Sequence, residues 1–428
     1  MAGLDDFQGF GERAERELGK VDRHDPVDRP HVKRFAKRLD GSVAEGTLAE
    51  YLKNLRKTAE RLDQPIVELS EADFDAHVFE LRRNPEYGMG DEPGLSDGTI
   101  RNVEFAVRKF LKAVDIEGTE WADDYELTPP PDTKVSPEDM LRSEDISALV
   151  DGANNMRDIA MIEFLADTGA RLSLLGSLRV GDVDLDGDQA TYRPNDQAVG
   201  LKGADIANYP IIDAKTPVRT YLRQVHPRPD DDEAAFFHKI PGHGNGAPWD
   251  EDGALSPSTI RKQLRKAADN GGVDRPVHPH NFRHSAITRM VREDYTRAQI
   301  EHRVHWEVDT DMWETYQHIA AEEHNADIFA HAGVGDADDG VEHERRPCGN
   351  CREPLAPHHE YCPRCGEPAT QEARNRRDNA VAKLGEGQVD VEEMSRREFR
   401  AHLLAAVQAN GEIADAHDAD SSPSSDST

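Results

Sequence analysis

A chain of 428 residues with 52 Lys and Arg against 84 Asp and Glu carries a formal net charge of -32. No apolar run approaches the roughly 18 residues of a membrane span, and Met1 to Lys20 is too polar and acidic for a secretory signal. Four cysteines in so long a chain exclude a disulfide scaffold. A soluble, cytoplasmic protein of several domains is expected. A strongly acidic balance disfavours a nucleic-acid partner, which wants a basic footprint. It also fits adaptation to high salt, where a Debye length of about 3 Å at 1 M makes a dense acidic surface inexpensive.

Residues 1–24 are charged and show no sustained pattern, so they are expected to be flexible. From His31 the pattern turns helical. Val32, Phe35 and Leu39, then Leu48, Tyr51, Leu52 and Leu55, recur at steps of three and four, with Ser42 or Thr47 as N-cap. A third helix reads from Ser70 and a fourth from Ser96 or Thr99, separated by a break at Gly88, Gly90, Pro93 and Gly94. Residues 25–117 are therefore expected to be an all-helical domain, and 118–137 a Pro-rich linker.

A second domain is expected over 138–332. Helical patterns open at Ser143, cover Asn155–Thr168 and resume from Leu172. Short strand-like pieces follow at Val183–Leu185, Ala190–Tyr192 and Tyr209–Ile212, with turn residues between them, as in a small antiparallel sheet. Helices are expected again at Lys215–His226, Pro257–Asp269, His280–Arg292, Thr296–Val304 and about Asp311–His331. Residues 333–345 read as a flexible joint, 346–369 as a Cys-rich module, 370–410 as two helices and 411–428 as a disordered tail. The fold class is mainly α, with one small antiparallel sheet in the second domain.

All four cysteines fall in two Cys-x-x-Cys pairs, Cys348/Cys351 and Cys362/Cys365. Two such knuckles can set four thiolates tetrahedrally at about 2.3 Å from one Zn²⁺. The module is too short to fold on a core of its own, so metal binding would supply its folding energy. Four thiolates close the coordination sphere, so the zinc is expected to be structural. His358 and His359 lie between the pairs as competing ligands. The pattern resembles a zinc ribbon.

Three blocks in the second domain carry more specific chemistry. The first contains Thr168-Gly169-Ala170-Arg171. The second is His280-Asn281-Phe282-Arg283-His284, and the third is His305-Trp306 followed by Tyr316-Gln317-His318. Singly, Arg171 would pass for a surface arginine and Tyr316 for a core aromatic. Together, in this order and spacing, the blocks resemble the tyrosine recombinase (phage-integrase, Xer-type) family, haloarchaeal-like in its acidity and with an added C-terminal ribbon. The likeness covers about residues 25–332, with 25–117 similar to the family's SAM-like core-binding domain.

The resemblance implies a site-specific DNA strand transferase. Tyr316 would be the nucleophile, leaving a 3′-phosphotyrosyl link and a free 5′-hydroxyl. Arg171 and Arg283 would hold the non-bridging oxygens of the phosphate, since guanidinium groups bind bidentately and stay charged. His280 would donate to the phosphate or assist proton transfer. Trp306 would donate its indole N–H, with His305 as the alternative at that place. Lys202, on the turn between the second and third strands, would be the general acid to the leaving oxygen, with Lys215, past the last strand, as the fallback. Religation would need neither ATP nor catalytic metal. The implied partners are double-stranded DNA and other copies of the chain, as a tetramer on DNA; no membrane is involved. A type IB topoisomerase-like activity and a non-catalytic DNA-binding protein are the alternatives. Two departures stand out: Leu174 occupies a place where the family usually has an acidic residue, and the basic residues usual after Lys202 are missing.

The charge is unevenly spread. Residues 201–300 carry 15 Lys and Arg against 13 Asp and Glu, so this stretch escapes the acidity of the rest and is where DNA is expected to bind.

Overall fold

A computed structural model describes residues 3–88, 93–131, 136–186, 189–240, 252–293, 295–307, 310, 313 and 346–377. The chain divides into two compact units, Met1–Lys134 with Gln197–Lys202, and Val135–Asp196 with Gly203–Thr428.

The first unit is helical: α1 (Phe10–Leu18), α2 (Asp28–Leu39), α3 (Glu45–Ala59), α4 (Glu71–Arg83), α5 (Asp97–Val114) and the short α6 (Trp121–Asp124). The apolar positions read from the sequence become its core. Val32, Phe35, Leu52, Leu55, Phe74 and Phe110 are all buried, and Phe35 meets Phe110 edge-on at 5.5 Å. Ser70 caps α4 in a reciprocal box with Asp73, satisfying two backbone donors at once. The buried Asp28 carboxylate accepts the N–H groups of Ile66 (2.8 Å) and Val67 (3.1 Å), tying α2 to the turn before α4.

Two expectations change here. The N-terminal 24 residues were expected to be flexible, yet they contain α1, and Leu4, Phe7, Ala14 and Val21 are buried. Four small or widely spaced apolar residues in a charged stretch give too weak a periodicity to read. Residues 118–137 are likewise more than a linker. They hold α6, whose first residue Trp121 donates its indole N–H to the Leu69 carbonyl (2.9 Å), and Thr128, which donates from both backbone and hydroxyl to Glu104 (2.7 Å each). At the start of α3, Ala44 stands at the N-cap place expected for Ser42 or Thr47.

The second unit contains α7 (Ser143–Gly152), α8 (Met156–Thr168), α9 (Leu172–Ser177), α10 (Lys215–Gln224), α11 (Pro257–Gly271), α12 (Pro279–Arg292) and α13 (Arg297–Arg303). Strands β1 (Val183–Asp184), β2 (Ala190–Tyr192) and β3 (Tyr209–Ile211) pair in that order, antiparallel, with Tyr192 opposite both Val183 and Tyr209. Helix α8 is buried on nearly every side, Arg157, Asp158, Glu163 and Asp167 included, so it is the central strut. Helices α7 and α11 pack so closely that a Cβ on Gly152 would sit 2.2 Å from the carbonyl oxygen of Ala267.

The Cys-rich module follows with β4 (Arg346–Pro347) and β5 (Pro354–Leu355), paired antiparallel. Its two knuckles repeat at matching positions. Cys348 N–H donates to Glu353 and Cys362 N–H to Glu367, both at 2.8 Å; Arg352 N–H returns to Cys348 and Gly366 N–H to Cys362. The module groups with the second unit, and Thr216 of α10 hydrogen-bonds Glu353. Residues 371–377 are helical. Apart from Trp313, the helix expected at about Asp311–His331 lies outside the described residues, as do the joint at 333–345, the helix at 392–409 and the tail.

Candidate active site and cysteine cluster

The site grows from the C-terminal end of α8. Gly169 ends that helix in the left-handed region (φ 61°), and a Cβ there would come within 3.1 Å of Ala286 Cβ on α12. Glycine therefore permits both the turn and the approach of α12. The turn delivers Arg171 as the N-cap residue of α9. From α12, Arg283 donates Nη1 to the Gly169 carbonyl (3.0 Å) and Nη2 to the Val304 carbonyl (2.5 Å). Arg171 donates Nη1 to the next carbonyl, that of His305 (3.3 Å). Two guanidinium groups from distant parts of the sequence thus converge on consecutive carbonyls after α13.

The loop that receives them is itself held in place. His305 has φ 56°, in the left-handed region, and its ring is buried. Its Nε2 lies 2.9 Å from the hydroxyl of Tyr192 on β2. Burial first, then the neighbouring Arg283 and Arg171, hold the imidazole well below its usual range, so it stays neutral. Trp306 packs under Arg283, whose guanidinium carbon is 5.5 Å from the ring centre, and against Trp313. Burial alone lowers the pKa of Arg171. Among the described residues no acidic group offsets that desolvation, so its charge is available to an anion.

His280 is exposed on the first turn of α12. It sits 4.2 Å, ring to ring, from His284. Burial, then His280 and Arg283, lower His284 to about 4, so it too is neutral near pH 7. Leu174 is buried in α9, an apolar core position where a carboxylate would be desolvated. Lys202 falls between β2 and β3 as expected, with φ 52° and flanked by Gly203 (φ 78°); it groups with the first unit. Tyr316 lies outside the described residues.

Three supporting residues escaped the sequence reading. Asp167, just before the Thr-Gly-x-Arg block, accepts Arg303 Nη2 at 2.7 Å, and both are almost fully buried. Its other carboxylate oxygen accepts the N–H groups of Ile212 (2.7 Å) and Ala214 (3.2 Å). Asp167 and Arg303 therefore lock α8, β3 and α13 together around the site, as Tyr192 locks His305. The position next to a motif was a signal for Asp167; Arg303 and Tyr192 carried none.

The four cysteines converge. Cys348 and Cys365 Sγ lie 3.6 Å apart, Cys351 and Cys362 Sγ 3.5 Å apart, and all four lie within 4.8 Å of one another. A tetrahedral Zn²⁺ with bonds of about 2.3 Å sets its sulfurs about 3.8 Å apart, so the donor set fits. His358 and His359 turn away from this cluster toward Glu163.

Comparison with known proteins fixes the class. Residues 139–323 match the Phage integrase family. The chain is 26% identical over 268 residues to tyrosine recombinase XerD of Corynebacterium glutamicum, covering 58% of this chain and 81% of that protein. It is 31% identical over 209 residues to XerC of Alcanivorax borkumensis (46% and 62%), and 24% identical over 289 residues to a tyrosine recombinase of Thermosipho africanus (65% and 91%). Among solved structures, a lambda integrase dimer bound to a COC' core site matches with a TM-score of 0.48 and 14% identity, over 68% of this chain and 76% of that one. By its sequence relatives the chain is a tyrosine recombinase. More particularly, it is a site-specific recombinase.

Proposed function

We propose that the chain cleaves and rejoins double-stranded DNA through a 3′-phosphotyrosyl intermediate on Tyr316, with Arg171 and Arg283 as the phosphate clamp. The observation that carries this reading is the convergence of those two guanidinium groups on the Val304–His305 carbonyls. Both are preorganised before substrate arrives, so little reorganisation accompanies stabilisation of the charge that builds on the phosphate. His280, exposed at the start of α12, is suited to reach a phosphate oxygen. Trp306 beside Arg283 supplies an N–H donor. His305, neutral and turned to Tyr192, serves better to shape the loop. Lys202 protonates the leaving 5′-oxygen. The phosphotyrosyl link retains the energy of the broken bond, so religation needs neither ATP nor a catalytic metal.

The first unit acts as the core-binding domain, and several copies assemble on DNA, as a tetramer. The cysteine cluster holds one structural Zn²⁺, for which the thiolate donor set is suited. The exposed Arg352 and Arg364 on the ribbon offer it a contact with DNA phosphate. The acidic surface suits a high-salt cytoplasm.

A nicked suicide substrate tests the assignment, because loss of the downstream fragment traps the covalent adduct. The wild-type chain should form a denaturant-stable adduct and Tyr316→Phe none. Binding without trapping in the wild type would instead favour a non-catalytic DNA-binding protein. Trapping that persists in Tyr316→Phe would move the nucleophile elsewhere.

A further inference from the structure

We propose that Glu163, His358 and His359 form a second metal site, one that takes a divalent ion of the zinc class and staples the ribbon to α8. Glu163 lies in the middle of α8, whereas the two histidines lie between the knuckles, 195 residues further on for His358. All three side chains are buried, at 3%, 7% and 6% exposure. Glu163 Oε2 stands 2.7 Å from His358 Nε2, and Oε1 stands 3.4 Å from His359 Nε2. One donor atom from each residue lies within 4.8 Å of the others.

Geometry and donor chemistry agree. Metal bonds of about 2.0–2.1 Å at tetrahedral angles set donor atoms roughly 3.4 Å apart. The His359 distance already matches, and a small rotation of Glu163 opens the His358 distance. Two imidazoles and one carboxylate are a donor set that zinc accepts with a fourth position left over. A cavity of about 160 Å³ adjoins the three side chains, with Asp151, Glu360 and Tyr361 also on its wall. It has room for a water as the fourth ligand.

Charge favours a dication. A carboxylate as buried as Glu163 is stable only beside a cation. Burial pushes its pKa up, and the two histidines more than reverse that shift, so it remains ionised. Asp151 and Glu360 add carboxylates to the same cavity wall, and Arg376 pairs with Glu360. A single imidazolium would offset one carboxylate; a divalent ion would offset Glu163 and a second negative charge with it. The change has one local cost. His359 Nδ1 lies 3.3 Å from the Ala356 N–H, a geometry that fits the tautomer protonated at Nε2. Coordination through Nε2 moves that proton to Nδ1 and gives up this long contact.

The site is separate from the four-cysteine cluster, and the test keeps the two apart. Full-length protein without an affinity tag is saturated with zinc, desalted and assayed for metal. About two zinc ions per chain are expected. Glu163→Gln and the double change His358→Gln, His359→Gln should each hold about one. In cobalt-substituted protein, the cysteine site shows intense thiolate charge-transfer bands. The second site adds weak visible bands free of thiolate character, and only these should vanish in the variants. Missing thiolate bands would count against the cysteine site alone. One metal ion per chain in the wild type, with thiolate bands only, overturns the proposal and leaves the three residues as a proton-bridged ion pair. A second ion that survives both changes overturns it as well. If a variant fails to fold, the wild-type metal count and cobalt spectrum still decide.

Discussion

Replacing Asp167 with alanine should destabilise the second unit more than any surface change. The side chain holds Arg303 at 2.7 Å, with the two side chains 0% and 4% exposed. Removing it leaves a guanidinium buried without its counter-charge, which costs about 3–5 kcal/mol. The Ile212 and Ala214 N–H groups lose their acceptor as well, at roughly 1–3 kcal/mol for each group left unsatisfied. The penalties overlap where the cavity admits water, so a total of about 4–6 kcal/mol is expected. Asp167→Asn keeps an acceptor for the backbone and loses only the charge, so it should cost less, about 2–3 kcal/mol. Arg303→Met in the Asp167→Ala background removes the stranded charge and should recover about 2–3 kcal/mol. A Trp121→Phe background makes the assay selective, because the remaining tryptophans, at 249, 306 and 313, all belong to the second unit. Urea unfolding followed by their fluorescence then reports that unit alone. A loss under about 1 kcal/mol for Asp167→Ala, or single costs that simply add in the double variant, would refute the claim that this pair locks the site.

Arg171→Lys and Arg283→Lys should each lower covalent trapping about 10²-fold or more. Lysine cannot donate to a backbone carbonyl and to a phosphate with the same fixed fork; a loss under about threefold in single-turnover cleavage would contradict the clamp. The first unit should weaken on mild acidification. Burial, with Arg56 second for His24 and Arg61 second for His77, lowers both histidines from 6.5 to about 4. The unfolded chain therefore takes up these protons first, so the stability is present above about pH 6.5 and is lost as pH falls toward 4, by up to about 3 kcal/mol per histidine. Trp121 fluorescence should show this loss, and His77→Phe should blunt it. In the ribbon, Arg352 has φ 63° at the place where the second knuckle has Gly366 at φ 75°. Arg352→Gly should relieve a left-handed strain of roughly 1 kcal/mol, and tighter zinc retention against a chelator would show it.

Sequence patterning made the helices legible wherever a face was strongly apolar. The periods of α2 to α5 and of α7 to α13, the three short strands between 183 and 211, and the paired cysteines need only local spacing and turn chemistry. The joint pattern around Arg171, Arg283 and Tyr316 also carried the family resemblance that implied the reaction class, because members of one family keep these residue types in one chain order. Helix α1 and the ordered stretch around Thr128 were not legible: their order comes from contacts with α3 and α5, not from their own periodicity.

The tertiary structure alone decided where these groups point. It turned His305 inward to Tyr192 and put Trp306 against Arg283, contacts that spacing alone does not reveal. It paired Asp167 with Arg303 across 136 positions. It also took His358 and His359 away from the thiolates and set them against Glu163. Each of these is a buried polar group that must find its partner through space, and such a partner leaves no trace in the order of residues along the chain.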